Sequence, residues 1–347
     1  MFRLLFLTAA ISGTGAMAEP PTPLTVCAAL DAECEQEGNM LVLGQTENSH
    51  ELLDLMTVSA RRFEARFGWS PQPTALVPGG VISATQARVL AEAGYEIQLP
   101  WLTAKDQKAL RESELRKQVN AQTSGLPDTV REEAVRKALA AIAPNSNGDA
   151  DSSEVHDGAL AHELGHLWFM AMSGASVGGG AVAHDYGGAA PDWLDETFAV
   201  LMENAELRDR RRKGFHAMTD DERIPLERFF TMTHPAAKAA AELARLAADE
   251  EGPSDSRVVI LTGDDADAFI AASGGDQTAR FYSQVQVFSD YLLARAGDAR
   301  FFVGLGEGLR EYSGSMDAWL ANRGAHHNLP ASVALMQSDW LDWLQTR

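Results

Sequence analysis

His162-Glu163-Leu164-Gly165-His166 brings two imidazoles and a carboxylate together on one turn of a helix. Residues four apart share a helix face, so His162 and His166 can grip a single ion. Glu163, beside the first imidazole, can reach a water on that ion and take its proton. A hydrolytic zinc site needs three protein ligands and one position left for water. Downstream, Pro191 to Glu203 reads as a second helix. Pro191 and Asp192 are start signals, and Trp193, Leu194, Phe198, Leu201 and Met202 recur at helical spacing. Glu196 lies in its first turn. Ala199 shares that face, and its small side chain leaves room for a closely packed neighbour. Glu203 falls two turns on along the same side, a candidate to orient a ligand imidazole.

His162-Glu163-x-x-His166 followed by Trp193-Leu194-Asp195-Glu196-x-Phe198-Ala199 resembles the gluzincin metallopeptidases, the clan of thermolysin and the zinc aminopeptidases. The resemblance implies Zn²⁺ held by His162, His166 and Glu196, with Glu163 as general base and a peptide or protein as substrate. It also implies a tyrosine that donates to the oxyanion. Of five tyrosines in the chain, Tyr282 matches, on a helix read from Phe281 to Leu293, and Tyr186 is the second candidate. The fold implied is α+β, predominantly α and zincin-like, with a small mixed N-terminal region and a helical C-terminal region. Segments at Asp298–Leu309, Met316–Leu320 and Asp339–Leu344 resemble that helical part, so the likeness covers about residues 150 to 347.

The chain departs from the pattern in places. The interval between His166 and Glu196 is longer than is usual in the aminopeptidases. It holds Gly174, Gly178-Gly179-Gly180 and Gly187-Gly188, an insertion that costs little loop entropy and could cover the open metal position. A metzincin arrangement would need a third histidine where Met172 stands. His156 and His184 read as surface residues. No Gly-x-Met-Glu-Asn segment of the amine-recognising kind is present, which leans toward endopeptidase action. Two other classes stay open: a non-catalytic zinc-binding relative serving in binding or assembly, and a zinc hydrolase of a non-peptide substrate.

The positioning elements read as follows. Leu52 to Phe67 is an amphipathic helix ended by Gly68. Thr74–Pro78 and Tyr95–Leu99 are strand-like, with helices at Ser83–Ala93 and Ala104–Asn120. The second strand is expected at a sheet edge, where it would hold substrate backbone by strand addition. Asn145 to Asp151 reads as a solvated turn-rich linker. Residues 205–255 read as exposed helices, and Arg208-Asp209-Arg210-Arg211-Arg212-Lys213 as a solvated face. At the start, Arg3, the apolar run Leu4 to Ile11 and Ala16-Met17-Ala18 fit a cleavable leader over residues 1–18. The run is too short for a permanent anchor. The mature chain is expected to comprise a mixed α/β region, 19–150, and a helical region, 151–347, that the resemblance makes the zinc metallopeptidase part, the two either separate or joined in one catalytic domain. It is expected in the periplasm or outside the cell. Cys27 and Cys34 are the two cysteines, and in an exported chain they are expected to pair. A net charge of −20 argues against nucleic acid and anionic membrane as partners.

Overall fold

A computed structural model of the chain describes residues 5–7, 23–44, 48–79, 81–142, 149–174, 190–236, 256–259 and 276–346. It is predominantly helical with a small mixed sheet. The order begins β1 (Leu5–Leu7), α1 (Pro23–Ala29), β2 (Cys34–Glu37), β3 (Met40–Leu43), α2 (Ser49–Phe67), β4 (Thr74–Pro78), β5 (Val81–Ile82), α3 (Ala84–Glu92) and β6 (Ile97–Trp101). Helices α4 (Ala104–Gln122), α5 (Asp128–Ile142), α6 (Asp149–Met172), α7 (Asp192–Met202), α8 (Ala205–His216) and α9 (Leu226–Thr231) follow. After β7 (Ser256–Val259) come α10 (Asp276–Ala296), α11 (Phe301–Glu311), α12 (Met316–Arg323) and α13 (Val333–Gln345).

The main sheet runs β2-β3-β4-β6. β2 and β3 form an antiparallel hairpin, while β3–β4 and β4–β6 are parallel. Alternate residues of a strand point to opposite faces, and here both faces are covered. Met40, Val42, Leu76, Ile97, Leu99 and Trp101 enter the large core under the helices. Leu41, Leu43, Ala75 and Val77 enter a second cluster with Val26, Leu90 and Tyr95. Two buried faces explain why these strands read as nearly unbroken apolar runs rather than alternating ones. β6 stands at the end of the pairing order, as expected, but spans Ile97–Trp101. Tyr95 precedes the strand, because its ring is taken up by the second cluster.

Local signals set the helix ends. Gly68 closes α2 at φ 71°, a left-handed conformation that glycine adopts without a Cβ penalty. Ser83 and Gln86 form a capping box on α3, and Thr103 and Asp106 form one on α4. Asp149 to Asp151, expected in a solvated turn, instead begin α6. Cys27 and Cys34 form a disulfide with Cα atoms 6.0 Å apart, tying α1 to β2. The apolar run expected to be a leader contributes β1, paired antiparallel with β7, which also pairs with β5. Among the described residues no helix is long and apolar enough to cross a membrane.

The large core runs through both halves of the chain. It joins Leu52, Phe63 and Phe67 of α2 to Leu164 and Trp168 of α6, Phe198 of α7, and Phe288 of α10. Phe198 stacks on Phe169 at 4.2 Å between ring centroids and lies 4.4 Å from Phe67. Burying each such ring contributes about 1.5–3 kcal/mol. Trp168 Nε1 donates to Thr74 Oγ1 at 2.9 Å, which fixes α6 to β4 by a buried polar contact.

Candidate metal centre

α6 and α7 carry the centre and pack closely against each other. Residues Trp193 to Met202 of α7 are buried on every side, Asp195, Glu196 and Thr197 included. The close approach is made possible at Gly165. A Cβ there would lie 2.8 Å from the Cα of Ala199 and 3.2 Å from the carbonyl oxygen of Phe198. The small residue expected on the facing helix is therefore matched by a glycine inside the histidine motif itself.

This packing brings His162, His166 and Glu196 together. Their ligand atoms all lie within 4.8 Å of one another, and all three residues are buried. The two Nε2 atoms face each other at 3.2 Å. Glu196 Oε2 is 3.6 Å from Nε2 of His162, and its Oε1 is 3.7 Å from Nε2 of His166. Each imidazole is oriented from behind by an acid. His162 Nδ1 pairs with Glu203 Oε1 at 2.8 Å, and His166 Nδ1 with Asp195 Oδ2 at 2.7 Å. An imidazole whose outer nitrogen donates to a carboxylate presents the lone pair of the other nitrogen to an ion. Neither oxygen of the fully buried Glu196 is satisfied by a hydrogen bond, a costly state that an ion would relieve. The donor set, two imidazoles and a carboxylate, fits a divalent metal ion.

Charge is arranged accordingly. Burial alone would raise Glu196, but His166 and His234 beside it prevail and hold it far below the usual carboxylate range. Burial opposes charging of His166, yet the Asp195 and Glu196 carboxylates outweigh it and raise the imidazole to about 10. Glu163 moves the other way: its burial outweighs the two histidines and raises its carboxyl above the usual range. A carboxyl so raised suits a group that must take up and release a proton.

Glu203 was legible in the sequence, and its own partner was not. Arg211 of α8 forms a bidentate pair with it, Nε to Oε2 at 2.6 Å and Nη2 to Oε1. The guanidinium also lies 4.4 Å over the ring of Tyr282, within cation–π range. The basic run 208–213 is therefore not simply a solvated face. Arg211 lies half-buried against the fully buried Glu203, and Arg212 pairs with Asp290 of α10 at 2.7 Å. The reason is that α8 packs along α10, with Leu207 and Phe215 buried beneath it. Tyr282, on α10, comes to the centre, with its ring 5.6 Å from that of His162. Tyr186, His184 and most of the glycine-rich loop lie outside the described residues, as does the side chain of His156.

Besides Arg211, two residues of the centre carry no signal in the sequence pattern that the helices gave. Asp195 sits next to the ligand Glu196, where its role shows only once α6 is in place. His234 follows α9, and its Nε2 lies 3.1 Å from Glu196 Oε1. Asp192 Oδ2 accepts from the backbone N–H of His234, and the rings of Phe281 and Tyr282 flank the imidazole at 5.2 and 5.3 Å. The available signal was a His-Pro step in a short uncharged stretch, Thr231 to Ala236, within an otherwise charged region. None of the family models, curated proteins or solved structures compared with the chain matches it.

Proposed function

We propose that this chain is a zinc-dependent peptidase of the gluzincin type, exported by a leader over residues 1–18. The observation that carries the proposal is the convergence of His162, His166 and Glu196 on one point, with Glu163 on the same turn as the two histidines. A zincin-like architecture is in keeping with a helix pair beside a sheet whose terminal strand, β6, could align a peptide by strand addition. When bound, Zn²⁺ supplies a Lewis acid that brings the pKa of a water toward neutrality and polarises a carbonyl. Glu163 accepts the proton of the attacking water and passes it to the leaving amine. Glu203 and Asp195 keep the two imidazoles in register, and Tyr282 donates to the developing oxyanion.

The test is metal analysis of the mature protein together with a peptide-library digest, run beside Glu163→Gln. Stoichiometric metal in both proteins is expected, with turnover reduced about 10²–10⁴-fold in the variant. Full metal-dependent activity in Glu163→Gln overturns the mechanism. One observation favours a second reading, a metal centre without turnover: His162 and His166 retain only 6% and 8% of their surface exposed. Stoichiometric metal with no cleavage of any peptide would select it.

A further inference from the structure

His234 brings a third imidazole next to the ligand set, so which of its ring nitrogens faces that set with a lone pair decides whether the centre has three protein ligands or four. The backbone N–H of Ala236 donates to His234 Nδ1 at 3.1 Å. A ring nitrogen that accepts a hydrogen bond carries no proton, so Nδ1 holds the lone pair and the neutral ring has its proton on Nε2. Nε2 is the atom that faces Glu196 Oε1 at 3.1 Å. A protonated nitrogen can donate but has no lone pair to offer a metal. The N–H lies off the line to Oε1, since neither Glu196 oxygen makes a hydrogen bond of good geometry, and a turn of the carboxylate or the ring is needed to complete it.

We propose that His234 is a positioning residue: its Nε2–H holds Oε1 of Glu196, leaving Oε2 to the metal, and the Ala236 amide keeps His234 from becoming a fourth ligand. A single turn after α9 thus makes a three-histidine, one-glutamate cluster into a site with three protein ligands and a position to spare. Structural zinc sites are closed by four protein ligands, whereas catalytic ones keep three. The Asp192 side chain anchors the same turn from the first turn of α7, so His234 and Glu196 are referred to one helix. The inference rests on the metal centre and not on peptide hydrolysis.

The experiment reads metal binding rather than turnover. Zinc and Co²⁺ affinities are measured by chelator competition for the wild type, His234→Ala and His234→Gln. The number of imidazoles at the metal is read by X-ray absorption of the Co²⁺ protein. Long-range ¹H–¹⁵N NMR of the full chain assigns the His234 tautomer. His234→Ala is expected to bind metal about 10–100-fold more weakly, the usual cost of losing a partner of a metal ligand. His234→Gln, whose amide can still donate, is expected to recover most of that loss. The wild type and His234→Ala should both show two imidazoles at the metal, and His234 should carry its proton on Nε2. Three imidazoles in the wild type, an Nδ1-protonated His234, or unchanged affinity in His234→Ala would each overturn the proposal. The NMR and absorption measurements on the wild type decide the matter even where His234→Ala fails to fold.

Discussion

At the scale of single residues, the centre is a set of charges that make sense only as a group. Glu203 is fully buried, and Arg211 outweighs the burial to keep its carboxylate ionised. Removing Arg211 leaves that charge without its main partner, and breaking a buried pair in this way costs about 3–5 kcal/mol. Arg211→Met is therefore expected to be strongly destabilised in denaturant unfolding. Arg211→Met combined with Glu203→Gln should regain much of the stability, because neither charge is then stranded. Metal affinity should separate from stability in this series, since Glu203→Gln changes the group that orients His162. A double variant with full stability and unchanged metal affinity would show that Glu203 has no part in holding the ligand. The pairing of His162 with His166, and of Glu196 with Glu203, could be read from helical spacing, whereas the meeting of Glu196 with the histidines followed only from the family resemblance. Arg211 could not, since it is one of four arginines in a run and only the buried acid opposite selects it. His234 could not either, because it reaches the centre through a turn, and turns obey no periodicity.

At the scale of elements, the separation of α6 and α7 sets the distance between Glu196 and the histidines. Gly165→Ala places a methyl group 2.8 Å from the Ala199 backbone, where no side chain can move aside. Overpacking of this kind costs about 1–3 kcal/mol. The variant is expected to lose stability by that amount and to bind metal more weakly, as chelator competition would show, although alanine is the better helix former. A gain in stability would mean that the two helices are not in contact there. A second prediction concerns the junction of α10 and α13. Tyr291 is buried and donates to Asp339 Oδ2 at 2.6 Å, and Arg295 also pairs with Asp339. Burial, and then the Asp339 carboxylate, raises the phenol well above its ordinary value. Its folded pKa exceeds the unfolded value of about 10, so its contribution is intact below about pH 10 and lost as pH rises through the folded value. Urea midpoints should therefore fall above about pH 10, and Tyr291→Phe should flatten that fall while starting from a lower midpoint. Helices α2, α3 and α4 were legible from amphipathic spacing, caps and Gly68. The strand at Tyr95 was misplaced by two residues because an apolar run buried on both faces has no alternation to fix its register.

At the scale of the whole molecule, one core joins the sheet to the helices that carry the candidate centre, so the centre and the fold should stand or fall together. Without an ion, the buried Asp195, Glu196 and Glu203 crowd one region, with the half-buried Glu163 beside them. A ligand that binds only the folded state adds about 4 kcal/mol when present at a thousand times its dissociation constant. Chelation is accordingly expected to lower the Tm of the entire chain in one transition, and zinc to restore it. A chelator-insensitive Tm would remove the metal from the account of the fold. The core takes residues from both sides of residue 150, Phe63 and Trp168 among them, and packing of that kind is not encoded in either half alone. The path of the chain through the centre has one more consequence. His162 and His166 come from one helix, Glu196 and Asp195 from the next, Arg211 from a third, and His234 from a turn beyond a fourth. An unfolded chain has none of these neighbours, so it carries no site for the ion to occupy. On the proposed export by a leader, the ion would be drawn from the compartment in which the chain completes its fold, and the metal supply there, not in the compartment of synthesis, would decide what the centre holds.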